Sequence, residues 1–157
     1  MKYKCENELH TLNFKDFNVE EIKYSDNKLV IYTNGGVARY DNSCNETLEE
    51  RYISECEIQF INCNIDKFVL EGGKYYTADD KLIEEVPDKD IEPSEIKETL
   101  SKLKGEDAVI FFLSGKQDSD KYKVEVAVDL INDTYWLNIT SDKVIVGFDR
   151  FMNRVMN

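Results

Sequence analysis

Between residues 122 and 130 large apolar side chains recur at every second position. Tyr122, Val124, Val126, Val128 and Leu130 fall on one face, Lys123, Glu125, Ala127 and Asp129 on the other. Successive side chains of a strand point to opposite faces, so this pattern predicts a half-buried strand. The run 108–113 is apolar at every position, the pattern of a central strand covered on both sides. Polar turns at 117–121, Asn132-Asp133 and Ser141-Asp142 divide the region into strands near 108–115, 122–130, 134–140 and 143–149. A four-stranded meander is the simplest way to join them.

The first half is also strand-like, though less regular. Over residues 1–19 only Leu9, Leu12, Phe14 and Phe17 stand out as core contacts. Ile22 and Tyr24 then alternate with polar neighbours, Ser25-Asp26-Asn27 turns, and 28–33 returns. Gly35-Gly36 and Gly72-Gly73 each follow a short apolar run, which predicts two further hairpins because glycine accepts the positive φ of primed turns. The runs before them, Lys28-Leu29-Val30-Ile31 and Lys67-Phe68-Val69-Leu70, look alike, a likeness that turn chemistry alone accounts for. Two periods compete over 47–60. Thr47 and Glu50 have capping-box spacing ahead of Leu48, Tyr52, Cys56 and Phe60, whereas Tyr52, Ser54, Cys56, Ile58 and Phe60 alternate with Ile53, Glu55, Glu57 and Gln59. Strand is the expectation for 52–62. Asp79-Asp80 should turn the chain into 81–86.

Pro87 and Pro93 bracket an acidic run, the nearest thing to a linker, and 87–93 is where one domain of 157 residues would divide. Beyond it, Pro93 in a first turn, Ile96, Leu100 and Leu103 at i, i+4 and i+7, and Gly105 as a stop predict one helix near 93–105. Its apolar stripe should cover a face of the following meander. The fold class expected is α+β, predominantly antiparallel β: a hairpin-rich first half, one helix, then the meander.

Charge narrows the function. The 32 acidic and 20 basic side chains give a net charge of −12, which argues against nucleic acid and against anionic membrane surfaces as partners and suits a basic protein partner. The first residues lack an apolar signal region and no run approaches the ~20 apolar residues of a membrane span, so a cytoplasmic location is expected and Cys5, Cys44, Cys56 and Cys63 should be thiols.

Candidate chemistry is sparse. His10 is the only histidine, and the cysteines never form a Cys-x-x-Cys pair, which removes most acid–base and zinc schemes. The segment Asp88-Lys89-Asp90-Ile91-Glu92 opens like a calcium loop, yet Pro93 stands where glycine is needed and Thr99 where glutamate is needed. Ser114-Gly115-Lys116 lacks the setting of a nucleophile elbow, and no phosphate-binding glycine loop occurs. The expectation is therefore no catalytic residue, no cofactor and no metal. Binding residues are better candidates. Trp136 shares a strand face with Asn138 and Thr140, Tyr75 and Tyr76 are amphipathic aromatics, and Asp79, Asp80, Asp88, Asp90 and Glu92 belong to a stretch, 79–98, with nine carboxylates against three lysines.

The spacing of Phe14, Asp16, Ile22 and Leu29, followed by Ile58-Gln59-Phe60-Ile61-Asn62-Cys63 and Phe68, resembles small uncharacterised β-rich bacterial domains, some of which are immunity proteins that neutralise toxins. The resemblance covers about the first 70 residues and implies no catalytic residues. Together these readings predict a non-enzymatic, acidic, cytosolic interaction protein that meets a basic protein partner. The competing expectations are a small-ligand binder or enzyme with a pocket between sheet and helix, and self-association through an edge strand.

Overall fold

The computed structural model describes residues 1–156. The chain is mostly antiparallel β, with one short α-helix among the described residues. The strands before the helix are β1 (Tyr3–Glu6), β2 (Leu12–Asn13), β3 (Val19–Ser25), β4 (Lys28–Thr33), β5 (Gly36–Ala38), β6 (Arg51–Ile53), β7 (Cys56–Ile61), β8 (Asn64–Leu70), β9 (Gly73–Tyr76), β10 (Leu82–Val86) and β11 (Lys89–Asp90). After helix α1 (Ile96–Lys102) come β12 (Ala108–Asp118), β13 (Lys121–Leu130), β14 (Asp133–Ser141), β15 (Lys143–Phe148) and β16 (Phe151–Arg154). Two five-stranded sheets, ordered β1-β15-β7-β4-β3 and β11-β8-β14-β13-β12, share one core. A four-stranded sheet, β16-β6-β5-β2, and the β9–β10 ribbon complete the molecule.

Alternation builds the core. Tyr122, Val124, Val126 and Val128 of β13 point inward with Leu137 and Ile139 of β14, meeting Ile58 and Phe60 of β7, Leu29 and Ile31 of β4, and Val144, Val146 and Phe148 of β15. Each side chain of this size contributes roughly 1.5–3 kcal/mol when fully buried. Strand, not helix, occupies 51–61, broken at Ser54-Glu55, where the Ser54 hydroxyl accepts the N–H groups of Asp149 and Arg150 at 3.2 and 3.1 Å. The loop ahead of it forms no helix; the Asn45 side chain holds it by donating to the Glu49 carbonyl at 2.8 Å.

The meander has three strands, not four. Only Asp142 separates β14 from β15, too short a link to close a hairpin, and β15 crosses to the first sheet to pair with β7 and β1. Strand β8 continues β7 and pairs with β14, so two antiparallel strands bend together from one sheet into the other. Strands that switch sheets make such corners. Asn62, at φ 48°, bends one strand, and its side-chain amide donates to Asp142 Oδ2 at 2.9 Å. Lys121 Nζ lies 2.5 Å from Asp142 Oδ1 and holds that carboxyl below its usual pKa range.

Neither Gly-Gly pair forms a hairpin. Strand β5 pairs with β2 and β6 rather than β4, and β9 pairs with β10 rather than β8. Close approach explains one glycine of each pair: a Cβ on Gly36 would stand 2.7 Å from Phe14 Cε1, and one on Gly72 only 2.0 Å from the Val86 carbonyl oxygen. The tight hairpin of the first half is β3–β4, where Asp26 and Asn27, at φ 52° and 60°, form the two-residue turn.

Two placements differ from expectation. Helix α1 is shorter than 93–105, being led by a single 3₁₀ turn over Pro93–Glu95, and it lies against β3 rather than the meander, with Leu100 and Leu103 buried in the common core. Strand β12 is an edge strand rather than a central one, and Phe111 and Phe112 are exposed. Its start is covered by 16–18: the Asp16 N–H donates to the Ile110 carbonyl at 2.8 Å and the Ile110 N–H to that of Phe17 at 2.9 Å.

Candidate functional site

The outer face of the second sheet carries one continuous row. Asp90 of β11 stands opposite Val69 of β8, Val69 opposite Trp136 of β14, Trp136 opposite Ala127 of β13, and Ala127 opposite Phe112 of β12. Paired residues of antiparallel strands share a face, so five strands set these side chains side by side. Ala127 is fully buried although it lies outside the common core, because the aromatic rings cover it. Phe112 is tilted against Trp136 with centroids 5.8 Å apart, and Phe111 meets the same indole edge-on at 6.4 Å. Lys15 Nζ caps the Phe111 ring at 5.8 Å.

A bulge puts both phenylalanines outside. Ile110 pairs with Val128 and Phe112 with Ala127, leaving Phe111 as an extra residue without a partner. Two residues opposing one is the geometry of a β-bulge, which locally suspends the alternation of faces. A second irregularity, between Asn138 and Ile139, leaves Asp66 out of the β8–β14 ladder, and its carboxylate accepts the Thr140 hydroxyl.

Polar side chains flank the row. On one side Lys67, Asn138, Glu125 and Ser114 follow one another across the sheet. Two hollows open here and share Glu125 and Asn138. The larger, about 460 Å³, runs past Phe112 and Ser114 to Lys116, Lys123 and Thr140. The smaller, about 250 Å³, lies between Trp136, Val69, Lys67, Glu71, Asp88 and Glu125. Asp88 is fixed there because its Oδ1 accepts the Gly72 N–H at 2.7 Å. Glu71, Asp88, Glu125 and Lys67 take part in no ion pair among the described residues.

Glu92 apart, the expected binding residues therefore fall into two groups. Trp136, Asp88 and Asp90 come together on the sheet face. Tyr75, Tyr76, Asp79 and Asp80 sit on the β9–β10 ribbon, in which nearly every residue is exposed, including Tyr75, Tyr76, Leu82 and Ile83 at more than half their surface. The ribbon rises from Gly72 and Val86, beside Glu71 and Asp88, so its base adjoins the smaller hollow. Glu92 lies just past β11, where its carbonyl accepts the Glu95 N–H at 2.8 Å, off the row. The sequence reading missed Phe111, Phe112, Val69, Glu71 and Glu125. A signal for the first two was present: counting back from the turn after Asp118 pairs Phe111 with the inward Val128 and turns Ile110 outward, unless one residue is skipped.

The remaining reactive groups are separate from this face. Cys5, Cys56 and Cys63 are buried, Cys44 half-buried, and all four are free; burial pushes the Cys5 thiol up to about 11 and that of Cys56 up to about 12. His10 is exposed on a 3₁₀ turn, Leu9–Thr11. No group of His, Cys, Asp or Glu among the described residues is gathered closely enough to hold a metal ion, and no helix among them is long and apolar enough to cross a membrane. No known family model, curated protein or solved structure matches this chain.

Proposed function

We propose that this chain is a non-enzymatic binding protein of the cytosol that docks a basic protein partner on the outer face of its second sheet, with the β9–β10 ribbon as a side wall. Neutralising that partner, as an immunity protein does, is the biological form of this reading. The observation that carries it is the row from Asp90 to Phe112: partly exposed aromatic rings held by five paired strands, bordered by Glu71, Asp88 and Glu125, none of them ion-paired among the described residues. Aromatic anchors supply most of the binding energy of interfaces, and a few such residues each contribute about 2 kcal/mol or more. The carboxylates, on a chain of net charge −12, would speed encounter with a cationic surface and make the association salt-sensitive.

Affinity-tagged protein passed over a lysate tests this. A basic protein should be retained at low ionic strength, released near about 0.5 M salt where screening lengths fall below about 5 Å, and lost when Phe112 and Trp136 are both replaced by serine. Retention that ignores salt, or retention unaffected by the double substitution, would refute the reading.

A further inference from the structure

We propose, resting on that reading, that the smaller hollow is a socket for one arginine side chain of the partner, stacked on Trp136 between Asp88 and Glu125. The indole has its aromatic neighbours on one flank only, toward Ala127 and Phe112. Its other flank, toward Val69 and β8, opens into the hollow. The face of an indole carries negative quadrupole density and attracts a cation laid over it. Around it stand three carboxylates against the single ammonium of Lys67, so the hollow favours positive charge.

The spacing of the acids selects the kind of cation. They come from the end of β8, from β13 and from the segment after β10, and they do not converge tightly enough to ligate a metal ion. A planar guanidinium fits that spread, since it stacks flat on the ring while its several N–H groups reach different acceptors; an ammonium is a compact point charge. Asp88 is already held by the Gly72 N–H, so part of the socket is set before any partner arrives. About 250 Å³ suits one extended side chain rather than a larger ligand.

Trp136 is the only tryptophan, so its emission reports on the surroundings of this one indole. The full chain is titrated at low salt with a capped hepta-arginine peptide and with its hepta-lysine counterpart, following emission and heat. Saturable binding that shifts Trp136 emission is expected, tighter for arginine. The pair D88N and E125Q should weaken it about fivefold or more, whereas E20Q with E46Q, an equal loss of charge at exposed positions elsewhere, should change it less than about twofold. The amide introduced by D88N keeps an oxygen for the Gly72 N–H, so the first pair leaves the fold intact. Equal weakening by the two pairs, binding without an emission change, or lysine binding as tightly as arginine would overturn the socket while leaving a basic docking face standing. No binding of either peptide would overturn both.

Discussion

Phe112 stands opposite Ala127, and the residue before it, Phe111, stands opposite nothing. That single skipped position keeps Ile110 in the core while turning two adjacent aromatic rings toward Trp136. Deleting Phe111 should therefore leave a regular ladder in which Ile110 still points inward and Phe112 still points outward. The expected outcome is a folded protein whose far-ultraviolet dichroism is unchanged and whose stability lies within about 1 kcal/mol of the parent, since an exposed bulge residue contributes little to the core. A deletion variant that fails to fold would show that the bulge itself holds β12 in place.

Gly36 and Gly73 separate two meanings of glycine in a strand. A methyl group at Gly36 would press on Phe14, which is itself buried, and Gly36→Ala is expected to destabilise the protein by about 1–3 kcal/mol, the range for overpacking a filled core. At Gly73 the nearest atom to an added Cβ is the Tyr75 hydroxyl at 3.7 Å, and Gly73→Ala should stay within about 0.5 kcal/mol. Urea unfolding of the two variants side by side checks the contrast. Equal losses would mean that the close approach of Phe14 is not what requires glycine at 36.

The buried thiols predict an alkaline limit. Burial raises the Cys5 thiol to about 11 and the Cys56 thiol to about 12, against 9.0 for a free thiol. The native state thus holds protons that the unfolded chain releases above pH 9, so this stability is complete below pH 9 and falls as pH rises toward 11 and 12. Each thiol removes at most about 1.4 kcal/mol per pH unit in that window. Denaturant midpoints at about pH 8 and about pH 10 should differ accordingly, and Cys56→Ala should flatten the slope. A slope unchanged by that substitution would place the alkaline transition on other groups.

Much of this architecture is legible in the sequence, and the misreadings have physical causes. Alternation over β13 fixes which residues face the core, and through Asn138 and Thr140 it assigns Trp136 to the outer face. The Asp26-Asn27 turn is legible because two polar residues tolerant of positive φ sit between matched runs. The glycine pairs mislead because the same residue serves turns and close contacts, and only the neighbour, Phe14 or the Val86 carbonyl, tells them apart. The corner at Asp142 is illegible for a related reason: a polar residue between apolar runs marks a change of direction without saying whether the next strand returns to the same sheet. The row from Asp90 to Phe112 depends on register across five strands, a long-range property that no local window contains.

The β9–β10 ribbon gives the sharpest separation of fold from function. Isolated two-stranded hairpins are marginally stable in water, and this one keeps Tyr75, Tyr76, Leu82 and Ile83 largely in solvent. Its base is already closed, because Gly72 packs against the Val86 carbonyl and Gly73 pairs with Val86. Replacing 74–85 by two glycines should then leave the rest of the protein within about 1 kcal/mol of its original stability, since segments with few buried contacts can be excised at such ends. Hydrogen exchange in the parent should be fastest at the amides of 74–85 for the same reason. If the ribbon is the wall of the docking face, the shortened chain should lose capture of its basic partner while its core amides keep their protection. Retention of the partner at full strength would confine the interface to the sheet, and loss of core protection would show that the ribbon supports the fold after all.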